Sequence, residues 1–235
     1  MAVYRQLSET ESADLRRRIL YEDNHLLIVA KRTGEIVQGD KTGDETLADK
    51  YKAFIASRDA KPGQVFLGIP HRLDRPVAGI TVLAKTSKAL ERMSALLREG
   101  GVHKTYWALV CAEPQPHEAL LENWLGRNEK QNKAYILSEP KGQAKLARLR
   151  YRLLQQTRNY FLVEVELLTG RHHQIRCQLA GIGCPIKGDL KYGAPRSNPD
   201  GGISLLARHI SFVHPIRKEP VEITCPLPES WPDLS

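Results

Sequence analysis

A chain of 235 residues with 41% apolar and 26% charged side chains holds enough apolar material for a substantial core, as one large domain or two small ones. No run approaches the roughly 20 apolar residues of a membrane span, and residues 1–18 are too polar for a secretory signal, so a cytoplasmic protein is expected rather than a membrane-bound or exported one. Thirty-five Lys and Arg against 27 Asp and Glu leave a net charge of +8, which suits a polyanion such as nucleic acid or, equally, a basic protein without one.

Residues 1–18 read as a polar leader, loose or briefly helical, ending in Arg16-Arg17-Arg18. Ile19 to Ala30 predicts two strands around a Glu22-Asp23-Asn24 turn, and Lys31-Arg32-Thr33-Gly34 turns into Glu35-Ile36-Val37. Leu47, Tyr51, Phe54 and Ile55 fall at helical spacing within Glu45 to Arg58, with Lys61-Pro62-Gly63 as the stop. A buried strand is expected from Ile80 to Ala84, a helix from Ser87 to Glu99 stopped by Gly100-Gly101, and a strand from Val102 to Cys111. Between Trp124 and Tyr135 stand Arg127, Lys130 and Lys133, a mixture that fits looped RNA or a solvated hairpin. Ala147 to Gln155 and Tyr160 to Leu168 form the clearest strand pair. A helix is expected from Arg171 to about Ala180, then turns through Gly193, a loop through Gly202, and strands at Ile203 to Val213 and Val221 to Cys225. Strands and helices without regular alternation indicate an α+β fold with a largely antiparallel sheet, followed by a Pro-rich tail at 229–235.

Two stretches are chemically dense. The first, His71-Arg72-Leu73-Asp74-Arg75-Pro76-Val77-Ala78-Gly79, sets one carboxylate between two cations on a backbone-restricted loop, ahead of a buried strand. The cations favour ionised Asp74. Taken alone, this also describes a surface loop with a shared ion pair. The second is Thr169-Gly170-Arg171-His172-His173-Gln174-Ile175-Arg176. Thr169 can cap a helix whose free N–H groups favour an anion, and His172 and Arg176 would share a face. Taken alone, it is a capped helix with basic surface residues.

Together these blocks, with Lys104-Thr105-Tyr106-Trp107-Ala108, Gly188-Asp189-x-x-Tyr192-Gly193 and Phe212-x-His214-Pro215, resemble the RluA-type family of RNA pseudouridine synthases in order and spacing. The resemblance runs from about Ile19 to Pro228. It implies a pseudouridine synthase-like fold, a large, mainly antiparallel mixed sheet flanked by helices with a central active-site cleft. It also implies isomerisation of uridine in structured rRNA or tRNA, without metal or organic cofactor, by a protein expected to be a monomer. The polar leader leaves no room for the amino-terminal S4 domain many relatives carry.

On the same footing, Asp74 matches the catalytic aspartate, Arg176 the arginine that pairs with it, and Tyr106 the tyrosine that stacks on uracil. Arg72 is a candidate for filling the space of a flipped uridine or holding a flanking phosphate, Ile175 for lining the uracil pocket, and Arg171, Lys104, Lys187 and Lys191 for phosphate contacts. Val77-Ala78 stand where relatives usually read Thr-Ser, so two hydroxyls that could bond the loop backbone are absent. His172 replaces a usual small hydroxyl residue, Arg32 a common Pro and Leu206 a common His. A non-catalytic RNA-binding or ribosome-assembly factor that kept the fold is the alternative, resting on Val77-Ala78 alone. A glycosidic hydrolase would need a second placed carboxylate, and none stands at a matched position. His172, His173, Cys177 and Cys184 match no zinc spacing, and the four cysteines suggest reduced thiols.

Overall fold

Capping side chains and period-two burial account for most elements of the computed structural model, which describes residues 4–39, 43–60 and 63–231. The chain divides into two compact units, one holding the described residues through Val102 with Ile210–Cys225, the other His103–His209 with the described residues from Pro226 on.

In the first unit, Ser8 opens helix α1 (Glu9–Arg17) with a reciprocal cap. Its hydroxyl accepts the Glu11 N–H at 3.1 Å and its own N–H reaches the Glu11 carboxylate at 2.9 Å. Leu15 enters the core beside Leu27, Leu47, Tyr51 and Phe54, and the Tyr51 hydroxyl donates to the Leu15 carbonyl at 3.0 Å. Half of the expected leader, Glu9–Arg17, is therefore a docked helix.

Strands β1 (Ile19–Glu22), β2 (Leu26–Lys31) and β3 (Ala78–Ala84) pair antiparallel in that order. Asp23 closes the β1–β2 turn by accepting the N–H groups of His25 and Leu26, both at 2.7 Å. Helix α2 (Leu47–Arg58) begins two residues later than its periodicity suggests, because Thr46 caps it by accepting the Asp49 N–H at 3.0 Å. The Lys61-Pro62 part of the expected stop lies outside the described residues. Thr86 caps α3 (Ser87–Arg98) in the same way.

The second unit holds β4 (Val102–Val110, from its second residue), β5 (Glu118–Asn128), β6 (Lys133–Leu137), β7 (Lys145–Gln156) and β8 (Phe161–Leu167), paired antiparallel in the order β4-β8-β7-β5-β6. The polar stretch after Cys111 is thus a β5–β6 hairpin. On β7, Ala147, Leu149 and Tyr151 are buried while Arg148, Arg150 and Arg152 stand exposed. Helix α4 spans Gln174–Gly181, and β9 (Leu205–Val213), which pairs with β10 (Pro220–Thr224), has residues in both units. No helix among the described residues is long and apolar enough to cross a membrane.

Truncating Leu15 to Ala should lower the unfolding free energy by about 2–3 kcal/mol in urea titrations, as for a core leucine. A leader lying loose on the surface would leave the midpoint unchanged.

Candidate active site

Asp74 sits half-buried on a loop that leads straight into β3. The Val77 N–H closes a tight turn onto the Asp74 carbonyl at 3.0 Å, and the Gly34 N–H holds the Arg75 carbonyl at 2.9 Å. His71 Nε2 accepts the Val82 N–H at 2.9 Å, fixing the front of the loop to β3. The decisive brace is Lys31 at the end of β2, 2% exposed. Its ammonium donates to the carbonyls of Arg32 (3.0 Å), Arg75 (3.0 Å) and Val77 (2.6 Å). Burial pushes the Lys31 pKa down to about 8, so the ammonium persists at neutral pH. Val77 itself is buried, and Gly79, opposite Lys31 in the β2–β3 register, takes φ +116°, which favours glycine. Backbone carbonyls and one lysine brace this loop, so it does not depend on the Thr-Ser hydroxyls that Val77-Ala78 lack.

The flanking arginines do not pair with Asp74 as its neighbours in sequence suggested. Arg75 meets the Asp44 carboxylate at 2.5 Å and Arg72 donates to the Gln38 side chain at 3.3 Å, both exposed. Partners more than thirty residues away claim them.

In the second unit, Tyr106 is buried on β4 opposite Val165 of β8. Lys104, two residues earlier, is half-buried, and burial lowers its pKa. A Cβ on Gly170 would lie 4.0 Å from its Nζ, so this ammonium stands beside the turn that precedes α4.

That turn departs from expectation. Thr169 is not the helix cap, and His172 lies before the helix, so it does not share a helical face with Arg176. His173 occupies the cap position in the left-handed region (φ 51°, ψ 26°), which postpones the helix to Gln174. Gln174 clips the turn by accepting the Thr169 hydroxyl at 2.8 Å and the Arg171 N–H at 2.9 Å, while its amide donates to the Arg148 carbonyl at 3.0 Å. Ile175 and Arg176 follow, both 5% exposed.

Arg176 grips Asp189 bidentately, Nε to Oδ2 at 2.7 Å and an Nη to Oδ1 at 2.9 Å, with Asp189 1% exposed. Its guanidinium also lies 5.1 Å from the Tyr192 ring centre. The Tyr192 hydroxyl accepts the Ala134 N–H at 2.8 Å and sits 3.0 Å from His173 Nδ1. Burial, then the nearby Arg176 charge, depress the His173 pKa to about 2, so the ring stays neutral. Asp189 and Tyr192 were visible only as members of the Gly188-Asp189-x-x-Tyr192-Gly193 block, and nothing in that block alone marks them as partners of Arg176. His172 stacks on His173 with ring centres 3.9 Å apart, but the two do not converge with Cys177 and Cys184 as a set of metal ligands. None of the four cysteines forms a disulfide among the described residues.

Residues 25–181 match the family model described as RNA pseudouridylate synthase. The chain is 34% identical over 223 residues to the ribosomal large subunit pseudouridine synthase C of Vibrio vulnificus (strain CMCP6), spanning 92% of this chain and 68% of that protein. It is 32% identical over 260 residues to a mitochondrial pseudouridylate synthase of Xenopus tropicalis, spanning 93% and 79%. The solved structure of human RNA pseudouridylate synthase domain containing 4 matches with a TM-score of 0.77 at 25% identity, covering 94% of this chain and 92% of that one. The fold is therefore that of a pseudouridine synthase domain, and the enzyme class is isomerase. The chain belongs to the RluA-type RNA pseudouridine synthase family.

Replacing Lys31 by Met should cost about 2–4 kcal/mol in urea unfolding, because three carbonyls lose a charged donor while a buried charge is removed. His173 gives a pH signature. Its folded pKa lies below the unfolded value, so its contribution is complete above about pH 6.5 and is lost as the unfolded chain takes up protons below that. The stability difference between wild type and His173→Asn, which tolerates the left-handed backbone, should shrink steadily from pH 7 to pH 4.5.

Proposed function

We propose that this enzyme converts uridine to pseudouridine in structured RNA, with Asp74 as the catalytic carboxylate. The observation that carries the reading is the Asp74 loop, held on β3 by the buried Lys31 ammonium, in a chain of this family. The reaction breaks the bond between uracil N1 and ribose C1′ and forms one from C5 to C1′. N1 gains a proton and C5 loses one, so no oxidant or reductant is needed. A carboxylate can serve by attacking as a nucleophile or by taking a proton from the sugar.

Arg176 is the cation proposed to pair with and aim that carboxylate, and Tyr106 the ring that stacks on the uracil. A paired or stacked uridine must first leave its stack, and Arg72, exposed two residues before Asp74, is proposed to fill the space or hold a neighbouring phosphate. Ile175 is assigned to the wall of the uracil pocket, and Lys104 and Arg171 to phosphates. The RNA class we favour is ribosomal, since relatives carry the name ribosomal large subunit pseudouridine synthase. Four cysteines without a disulfide suit a reducing, cytoplasmic setting. The reading as a non-catalytic factor rests on Val77-Ala78, and the Lys31 brace argues against it.

RNA transcribed with tritium at uracil C5 should release tritium to water with the wild-type protein, and Asp74→Ala should lower that release at least about a thousandfold while RNA affinity stays within a few-fold. Wild-type protein that releases none from total cellular RNA would overturn the proposal.

A further inference from the structure

The second unit has two concavities of similar size and opposite electrical character. One, about 570 Å³, lies on the strand face between β4 and β5, and its cations are already neutralised. Arg150 meets Glu166 at 3.5 Å and Arg152 meets Glu164 at 2.9 Å. The other, about 520 Å³, lies where β5, the start of β7 and the turn before α4 come together. Arg127, Lys145 and Arg171 line it from those three elements, with Glu129 the one carboxylate on its wall. Among the described residues none of these three cations forms an ion pair, although eleven other arginines do.

Like charges do not gather around a hollow without cost, and the unfavourable repulsion is relieved when an anion enters. The Arg171 guanidinium is also pre-aimed, since its Nε donates to the Leu146 carbonyl at 2.8 Å, which reduces the rotamer freedom lost on binding. Gly170 leaves the wall low, for a Cβ there would meet nothing nearer than 4.0 Å. The volume admits one nucleotide, and the polar lining suits a phosphate better than an apolar group.

We infer that this hollow is a phosphodiester subsite, holding a phosphate of the RNA through Arg127, Lys145 and Arg171. The inference rests on the RNA-modifying reading above and adds Arg127 and Lys145 to Arg171 as groups that grip the RNA backbone. Arg127 and Lys145 are exposed, so their removal leaves the core intact.

The test is fluorescence anisotropy of a labelled single-stranded RNA 12-mer titrated with full-length protein across a salt series. The double variant Arg127→Ala/Lys145→Ala should bind about tenfold more weakly at moderate salt, with a log–log salt slope shallower by about 1 to 1.5. Arg150→Ala/Arg152→Ala, in the neutralised concavity, should leave affinity and slope unchanged. A double variant with wild-type affinity and slope overturns the subsite. Release of the labelled RNA by UMP as readily as by unlabelled 12-mer would assign the hollow to a free nucleotide and overturn the RNA assignment. Tritium release by the wild type is read separately. If it is absent while the double variant still loses affinity and slope, the isomerase reading fails and the anion subsite stands.

Discussion

The buried Lys31 ammonium is the constraint on which the Asp74 loop depends. A charge taken out of water must be resolvated by the protein or it neutralises. Here the substitute solvent is three backbone carbonyls, two of them in the loop and one in the turn after β2. Cost and benefit are therefore coupled. The lysine is tolerable in the core only while the loop keeps this one shape, and the loop keeps it because departure would strand a buried cation. Side chains at Val77 and Ala78 then need only fit, which is why an apolar pair can occupy positions where hydroxyls are usual.

The second unit applies the same rule with the opposite sign of partner. Arg176 is buried, and Asp189 neutralises it through two parallel hydrogen bonds while the Tyr192 ring covers one face. A second positive charge beside this pair would be unfavourable, and His173 is held neutral by its own burial and by Arg176. Its left-handed backbone costs on the order of 1–3 kcal/mol, offset by the Tyr192 contact and by the placement of α4 that follows from it. One residue in an uncommon conformation thus decides where the helix starts and how Arg176 is presented.

Which features were legible in the sequence follows from how local their causes are. The strands of β7 and β8 and the helices capped by Thr46 and Thr86 are written in alternation and in residues three positions away, so their limits were within a few residues of the observed ones. The start of α4 was missed because Thr169 looks like a cap locally, whereas Gln174 and Tyr192, five and twenty-three residues on, dictate a different turn. The docking of α1 depends on Tyr51, thirty-six residues away, and no composition of the first eighteen residues reveals it. Asp74, Tyr106 and Arg176 stood out as charged or aromatic residues in dense blocks, but their roles came from the family resemblance. The pairing of Asp189 is not legible in its block because its partner lies thirteen residues away across a helix and a turn.

Net charge is the weakest of the sequence signals, and the pairing pattern shows why. An excess of +8 does not say where cations lie or whether they are available. Arg148, Arg150 and Arg152 project from one strand and would count fully in any tally of basic residues. Each faces a glutamate across the sheet, so their field is short-ranged, and they serve mainly to fix strand register. Arg127, Lys145 and Arg171 contribute the same formal charge and form no ion pair, so their field is less quenched at longer range. Whether a cation can reach a polyanion is therefore decided by its pairing, and the sum over the chain carries little of that information.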